Sequence, residues 1–253
     1  ISFVIFIHQI KSILNLFLLI AVSWFNFLML LRIKMIDKGK KYSVGFLFDE
    51  DNDWISNFFS EESLPFKDKY DYTLSSDKNV FRNFDIVFIL GYTKILDSEF
   101  LDKNDLNMIV HESDLPRGRG YSPVQWQILE GKDSIPISLF EADLEIDSGE
   151  IISKDILYLD GSELYEEIRE KQAEATKKII KEFLNKYPIY ERTKQKGKET
   201  VYRKRNVTDS ELDVNASIKD QFQLLRIVNN DSWPAFFYLK GKKYYLKIMQ
   251  GDD

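Results

Sequence analysis

Apolar residues along this chain fall into short runs separated by polar intervals of helix length. Residues 41–48 (KYSVGFLF) are β-branched and aromatic and predict a first strand. The acidic stretch 49–53 (DEDND) follows, with Asn52 or Asp53 as the expected cap of a helix over 54–59. Residues 85–90 (DIVFIL) are apolar without alternation, the pattern of a strand covered on both faces. Residues 108–111 predict a further strand that ends on His111, and 123–130 a helix with Pro123 in its first turn. Strands are expected over 135–144 and 151–158. The strongest helical signal is 162–185, where Leu164, Ile168, Ala175, Ile179 and Phe183 lie near one face. Near the end, 233–249 reads as two strands joined by a turn at 240–242, with one of Tyr244 and Tyr245 facing inward.

Strands alternating with helix-sized intervals predict an α/β fold, a Rossmann-like and mostly parallel sheet with crossover helices. The expected organisation is an apolar leader over 1–40, the α/β domain over 41–188, a charged linker over 189–200, and a small β-rich, OB-like unit over 201–253. In such sheets functional groups gather beyond the carboxyl ends of the strands, which is where His111 would stand.

Composition narrows the chemistry. Among 253 residues there is no cysteine, which excludes disulfides, thiolate metal sites and cysteine nucleophiles. The two histidines, His8 and His111, exclude a multi-histidine metal centre, so no metal is expected. The net charge of −6 gives the whole chain no footprint for nucleic acid. Residues 13–33 are nearly all apolar and long enough to span a bilayer; Arg32, Lys34, Lys38, Lys40 and Lys41 on the far side would hold the α/β domain in the cytoplasm. The competing reading is translated sequence upstream of a start at Met35, because the chain opens on Ile1.

His111 closes a buried strand and precedes a loop rich in Gly and Pro, and Asp147 lies in a second turn, 144–149 (LEIDSG). A histidine that takes a proton from an amine needs a carboxylate to hold its ring and steady its charged form. Spacing alone does not bring the two together. Trp126 and Trp233 read as packing residues, and the Arg203–Lys204–Arg205 cluster as a solvated face.

The run HESDLPRGRG (111–120), followed by SPVQW (122–126), resembles the His-x-Ser-x-Leu-Pro motif of 10-formyltetrahydrofolate-dependent formyltransferases. LEIDSGE (144–150) is similar to that family's second motif, with Asp147 on its catalytic aspartate, and Leu90–Gly91–Tyr92 is similar to the strand end that seats the pterin. The resemblance covers about 41–185 and, more weakly, 203–248. It implies 10-formyltetrahydrofolate as co-substrate, His111 and Asp147 as the catalytic pair, and a folate slot at Leu90, Gly91, Tyr92, Leu115, Asp143 and Leu144. Arg117 and Arg119 are candidates to meet a substrate phosphate or carboxylate. One position departs from the pattern: the family's asparagine two residues before the histidine, an oxyanion donor, is Ile109 here. Glu112, Ser113 or a backbone N–H would have to replace it, and an inactive relative stays open.

Three acceptor classes follow from the resemblance. DEDND in place of a Gly-rich turn argues against a glycinamide ribonucleotide. Methionyl-tRNA needs a surface for a polyanion, and 189–253 carries 13 Lys/Arg against 9 Asp/Glu. The wording of 111–131 looks most like formyltransferases for nucleotide-linked amino-deoxy sugars in surface-polysaccharide synthesis. That is the expected acceptor, with tRNA and a non-catalytic, membrane-tethered relative as alternatives. A homodimer stays open.

Overall fold

In the computed structural model, residues 41–50 and 53–251 are described. His8, Asn52 and the apolar stretch 13–33 lie outside them. Among the described residues no helix is long and apolar enough to cross a membrane.

The elements are, in chain order, β1 (Tyr42–Phe48), α1 (Asp53–Phe58), β2 (Tyr70–Ser75), β3 (Ile86–Leu90), α2 (Ser98–Leu101), β4 (Asn107–His111), β5 (Arg119–Gly120), α3 (Pro123–Leu129), β6 (Ser134–Glu141), β7 (Ile151–Tyr158), α4 (Tyr165–Lys186), β8 (Val201–Tyr202), α5 (Phe222–Leu225), β9 (Ala235–Leu239) and β10 (Lys242–Leu246). Six strands form one sheet in the order β2-β1-β3-β4-β6-β7. The first three pairings are parallel and the last two antiparallel, so the α/β, mostly parallel expectation holds.

All five residues of β3 are buried. Period-two alternation sends Ile86, Phe88 and Leu90 into a cluster with Val44, Phe46, Met108 and Phe183, and Val87 and Ile89 into a second with Leu47, Phe81 and Phe100. Helix α4 supplies Ile168, Ile179 and Phe183 to the larger cluster, as its pattern predicts. It starts three residues later than expected. Ser162 stays outside, and the Glu167 carboxylate accepts from the Leu164 N–H that opens the helix.

Three differences from the sequence reading have physical causes. Strand β2 is an edge strand with one fully buried residue, Tyr70, so YDYTLS carries too little apolar pattern to announce it. The strand expected over 135–144 ends at Glu141: β4 begins at Asn107, whose carbonyl takes the Ala142 N–H (2.8 Å) as the last bond along that edge, and 142–149 form a loop. The Gly- and Pro-rich loop after His111, expected only as a connection, buries Ser113, Leu115, Pro116 and Gly118.

The C-terminal part contains an antiparallel hairpin, β9 with β10. Lys240 and Gly241 both have positive φ (50° and 72°), the pair that a two-residue turn requires. Tyr244 and Tyr245 are both exposed, which corrects the inward-facing expectation: Tyr244 stacks on Phe237 (5.5 Å), and Tyr245 meets Phe236 edge-on (6.5 Å). The segment read as a linker is tied down. Thr193 pairs with Ile151, and β8 pairs in parallel with β5.

Candidate active site

The sheet order places β1 beside both β2 and β3, so the chain reverses its direction of winding between β1 and β3. Crevices at such points open beyond the carboxyl ends of the strands. A cavity of 620 Å³ lies on that edge of the sheet next to the switch point, bordered by the ends of β3 and β4 and by the loops that follow them. Its size is that of a small-molecule site.

His111 is the last residue of β4 and is buried at this border. Asp147 reaches it from the 142–149 loop: its Oδ2 lies 3.8 Å from His111 Nε2, and 11% of its side chain is exposed. The same oxygen accepts from the Gly120 N–H at 2.8 Å. His111 Nε2 is 2.7 Å from the Gly118 carbonyl, a group that only accepts. Nε2 therefore carries its hydrogen, which leaves Nδ1 as the nitrogen able to take a proton.

Two glycines make this approach geometrically feasible. A Cβ on Gly120 would stand 2.4 Å from the Tyr202 carbonyl, and one on Gly149 would stand 1.7 Å from the Glu141 carbonyl. Asp147 itself has φ 52°, a left-handed conformation that aspartate tolerates better than most residues. The segment 193–202 straps the loops from outside. Gln195 Nε2 donates to the carbonyls of Asp147 (2.7 Å) and Gly149 (2.9 Å), and Thr200 Oγ1 accepts from the Gly118 N–H (2.9 Å).

Leu90, Gly91, Tyr92, Asp143 and Leu144 border the cavity, and Leu115 does not: it is buried against Phe140 and Ile151. The loop after β3 is fixed to the end of β1, where Asp49 Oδ2 accepts from the N–H and hydroxyl of Thr93 (2.8 and 2.6 Å). Arg117 is exposed and away from the cavity. Arg119 is engaged elsewhere, its guanidinium held by Glu199 (2.9 Å), Gln195 (3.0 Å) and Glu145 (3.3 Å).

Ile109 borders the cavity on the same face of β4 as His111. Asn107 has its amide committed to the Leu101 carbonyl (2.9 Å). Of the expected substitutes, the Glu112 carboxylate borders the cavity and accepts from Gln172, and Ser113 is buried away from it.

Residues that the sequence did not single out add to the lining: Arg169, Gln172 and Thr176 from α4, and Asn206 and Ser210 from the C-terminal part. Trp233 borders the cavity too, with its ring edge-on to Tyr165 (5.3 Å). Trp126 is a packing residue. Its indole N–H donates to the Arg203 carbonyl (2.8 Å) and its ring stacks with Tyr202. The Arg203–Lys204–Arg205 cluster is more than a solvated face, because Lys204 and Arg205 line the cavity.

A buried histidine beside a carboxylate, at the carboxyl edge of a largely parallel sheet and open to a cavity, defines an α/β protein equipped for proton transfer on a small molecule. Residues 40–184 match the family described as Formyl transferase, and the chain belongs to that family. It is 29% identical over 168 residues to the methionyl-tRNA formyltransferase of Desulfotalea psychrophila, which covers 64% of this chain and 51% of that protein. The chain thus spans about half the length of that curated relative. The fold is similar to three solved structures. These are the methionyl-tRNA formyltransferase from Clostridium thermocellum (TM-score 0.69, 22% identity, 83% of this chain and 94% of that one), a 4-N formyltransferase from Francisella tularensis (0.60, 16%, 84% and 99%), and HypX from Aquifex aeolicus in complex with tetrahydrofolic acid (0.62, 17%, 83% and 38%).

Proposed function

We propose that this chain transfers the formyl group of 10-formyltetrahydrofolate to an amine, and that the amine belongs to a nucleotide-linked amino-deoxy sugar in the cytoplasm. The observation that carries the transfer reading is the meeting of His111 and Asp147 beside a cavity that Leu90, Gly91 and Tyr92 also border. A neutral amine attacks the formyl carbon and a tetrahedral intermediate forms. His111 Nδ1 accepts the amine proton while Asp147 steadies the resulting imidazolium through space. The bond from the formyl carbon to the folate N10 then breaks, and the proton passes from the imidazolium to that nitrogen. The sugar reading is supported by the acidity of the whole chain, which disfavours a polyanion, and by the grouping of Arg169, Lys204 and Arg205 on one wall of a small cavity.

Turnover is tested with 10-formyltetrahydrofolate against a panel of amino-sugar nucleotides and against charged initiator tRNA. His111→Ala should lower kcat by about 10²–10⁴, the usual contribution of a general base. Asp147→Asn should cut kcat far more than folate affinity. A wild-type rate in the His111→Ala variant would remove the mechanism. Formylation of tRNA with no sugar accepted would move the acceptor to the other class.

A further inference from the structure

The cavity has one wall that the transfer chemistry does not use. It is built from α4 and from the segment that follows β8, and its cations are Arg169, Lys204 and Arg205. Arg205 is the informative one. Its side chain is half-buried; Nη2 donates to the Asp209 carbonyl (3.0 Å), while Nε and Nη1 are buried without a partner. The nearby carboxylate does not satisfy them. Asp209 is gripped by Arg203 through both oxygens (2.7 and 2.5 Å) and also accepts from the Asn206 N–H (2.7 Å). Burial, with Arg203 beside it, pushes the Arg205 guanidinium below its ordinary pKa, the opposite of what a partnered arginine shows.

A buried cation with unmet donors is costly, and structures keep one where an anion completes it. The acids that share the cavity have other partners: Asp147 has Gly120 and His111, Glu112 has Gln172, and Asp143 accepts from the Leu144 N–H (2.7 Å). Arg169 enters from the α4 side, stacked over Tyr165 (5.1 Å) with Nη1 on Gln172 (2.6 Å). A planar fork flanked by a second arginine and a lysine suits phosphate oxygens. Trp233 adds an aromatic surface on the same cavity, of the kind that meets a nucleobase.

We propose that Arg205, Lys204 and Arg169 form a phosphate subsite that holds the diphosphate of a nucleoside-diphosphate-linked amine while the amine reaches His111. This rests on the transfer reading and names the handle by which its acceptor is gripped. Specificity for the acceptor then lies with the C-terminal segment, and the loop arginines Arg117 and Arg119 take no part.

The test is calorimetric titration of the full chain with UDP and with inorganic pyrophosphate, and in parallel with 5-formyltetrahydrofolate. Wild type should bind UDP, more weakly as salt is raised. Arg205→Gln should weaken UDP about tenfold or more, as expected for loss of a charge-assisted pair, with 5-formyltetrahydrofolate affinity and melting temperature unchanged. Lys204→Gln, an exposed change with no folding risk, should weaken UDP by a smaller factor. UDP affinity that is absent in wild type, or equal in wild type and both variants, overturns the subsite. So does tRNA binding that depends on Arg205 when UDP does not bind. Failure of the transfer reading would show separately, as wild type that binds UDP but not 5-formyltetrahydrofolate.

Discussion

Ile109 is the residue at which this site departs from its family resemblance, and its placement makes the departure testable. It borders the cavity two residues before His111, on the same face of β4, and offers no hydrogen-bond donor. A tetrahedral oxyanion gains about 10²–10³ in rate from one well-placed donor. Ile109→Asn is therefore expected to raise kcat, by at least tenfold, in a formyl-transfer assay. A kcat that stays level would mean that other groups already bind the oxyanion. At this scale the proposed catalytic pair was legible because each member sits in a short motif with its own glycines. The grouping of the cations on the proposed acceptor wall was not. Arg169 and Arg205 are 36 positions apart in the sequence and share a wall only after α4 and the post-β8 segment have packed. Arg119 misled for the converse reason: its motif neighbours suggested substrate, yet Glu199 and Gln195, 80 and 76 residues away, take its charge.

Among the elements, the strap 193–202 is where the chain invests in positioning. Its residues 193–200 (TKQKGKET) read as part of a charged linker because none of them is apolar enough to signal contact. Its contacts are polar and mostly to backbone, a kind of bond that leaves no periodicity in sequence. The long strand and helix patterns were legible for the opposite reason: β3 and α4 bury apolar faces whose spacing is fixed by backbone geometry. Within the strap, Gln195 holds the Asp147 loop by two donated bonds while its Oε1 accepts from Arg119. Gln195→Leu should lower kcat about tenfold, since a displacement of about 1 Å at a reacting group costs up to 10²-fold. Gln195→Glu keeps the acceptor for Arg119 and loses both donors, so it should fall about as far. Wild-type kcat and unaltered folate affinity in the Gln195→Glu variant would reduce the strap to a bystander.

For the molecule as a whole, the C-terminal part must stay docked if it supplies a wall of the site, and one buried ion pair fixes it there. Arg226, just after α5, is fully buried; it donates to the Glu163 carboxylate (2.6 Å) and to the Glu163 carbonyl (2.9 Å), just before α4. Lys171 and the N–H groups of Asp160 and Gly161 bond the same carboxylate. Burial by itself would raise the Glu163 pKa; these donors outweigh it and hold the group below the usual carboxylate value. A carboxylate with a lowered folded pKa contributes stability that is fully present above its unfolded pKa, near 4.3, and is lost as pH falls through the lower folded value. Glu163→Gln removes the buried partner of Arg226 and leaves only the exposed Asp133, 3.8 Å away; breaking a buried pair typically costs about 3–5 kcal/mol. Urea unfolding at pH 7 should show that loss, and the gap between variant and wild type should close as pH is taken from 6 towards 3. The double variant Glu163→Gln/Arg226→Met removes both charges together and should recover much of the single variant's loss, as coupled partners do. A Glu163→Gln chain within about 0.5 kcal/mol of wild type at pH 7, the range of an ordinary surface change, would mean that the docking is held by the apolar cluster of Leu212, Leu225, Val228 and Ala235 alone.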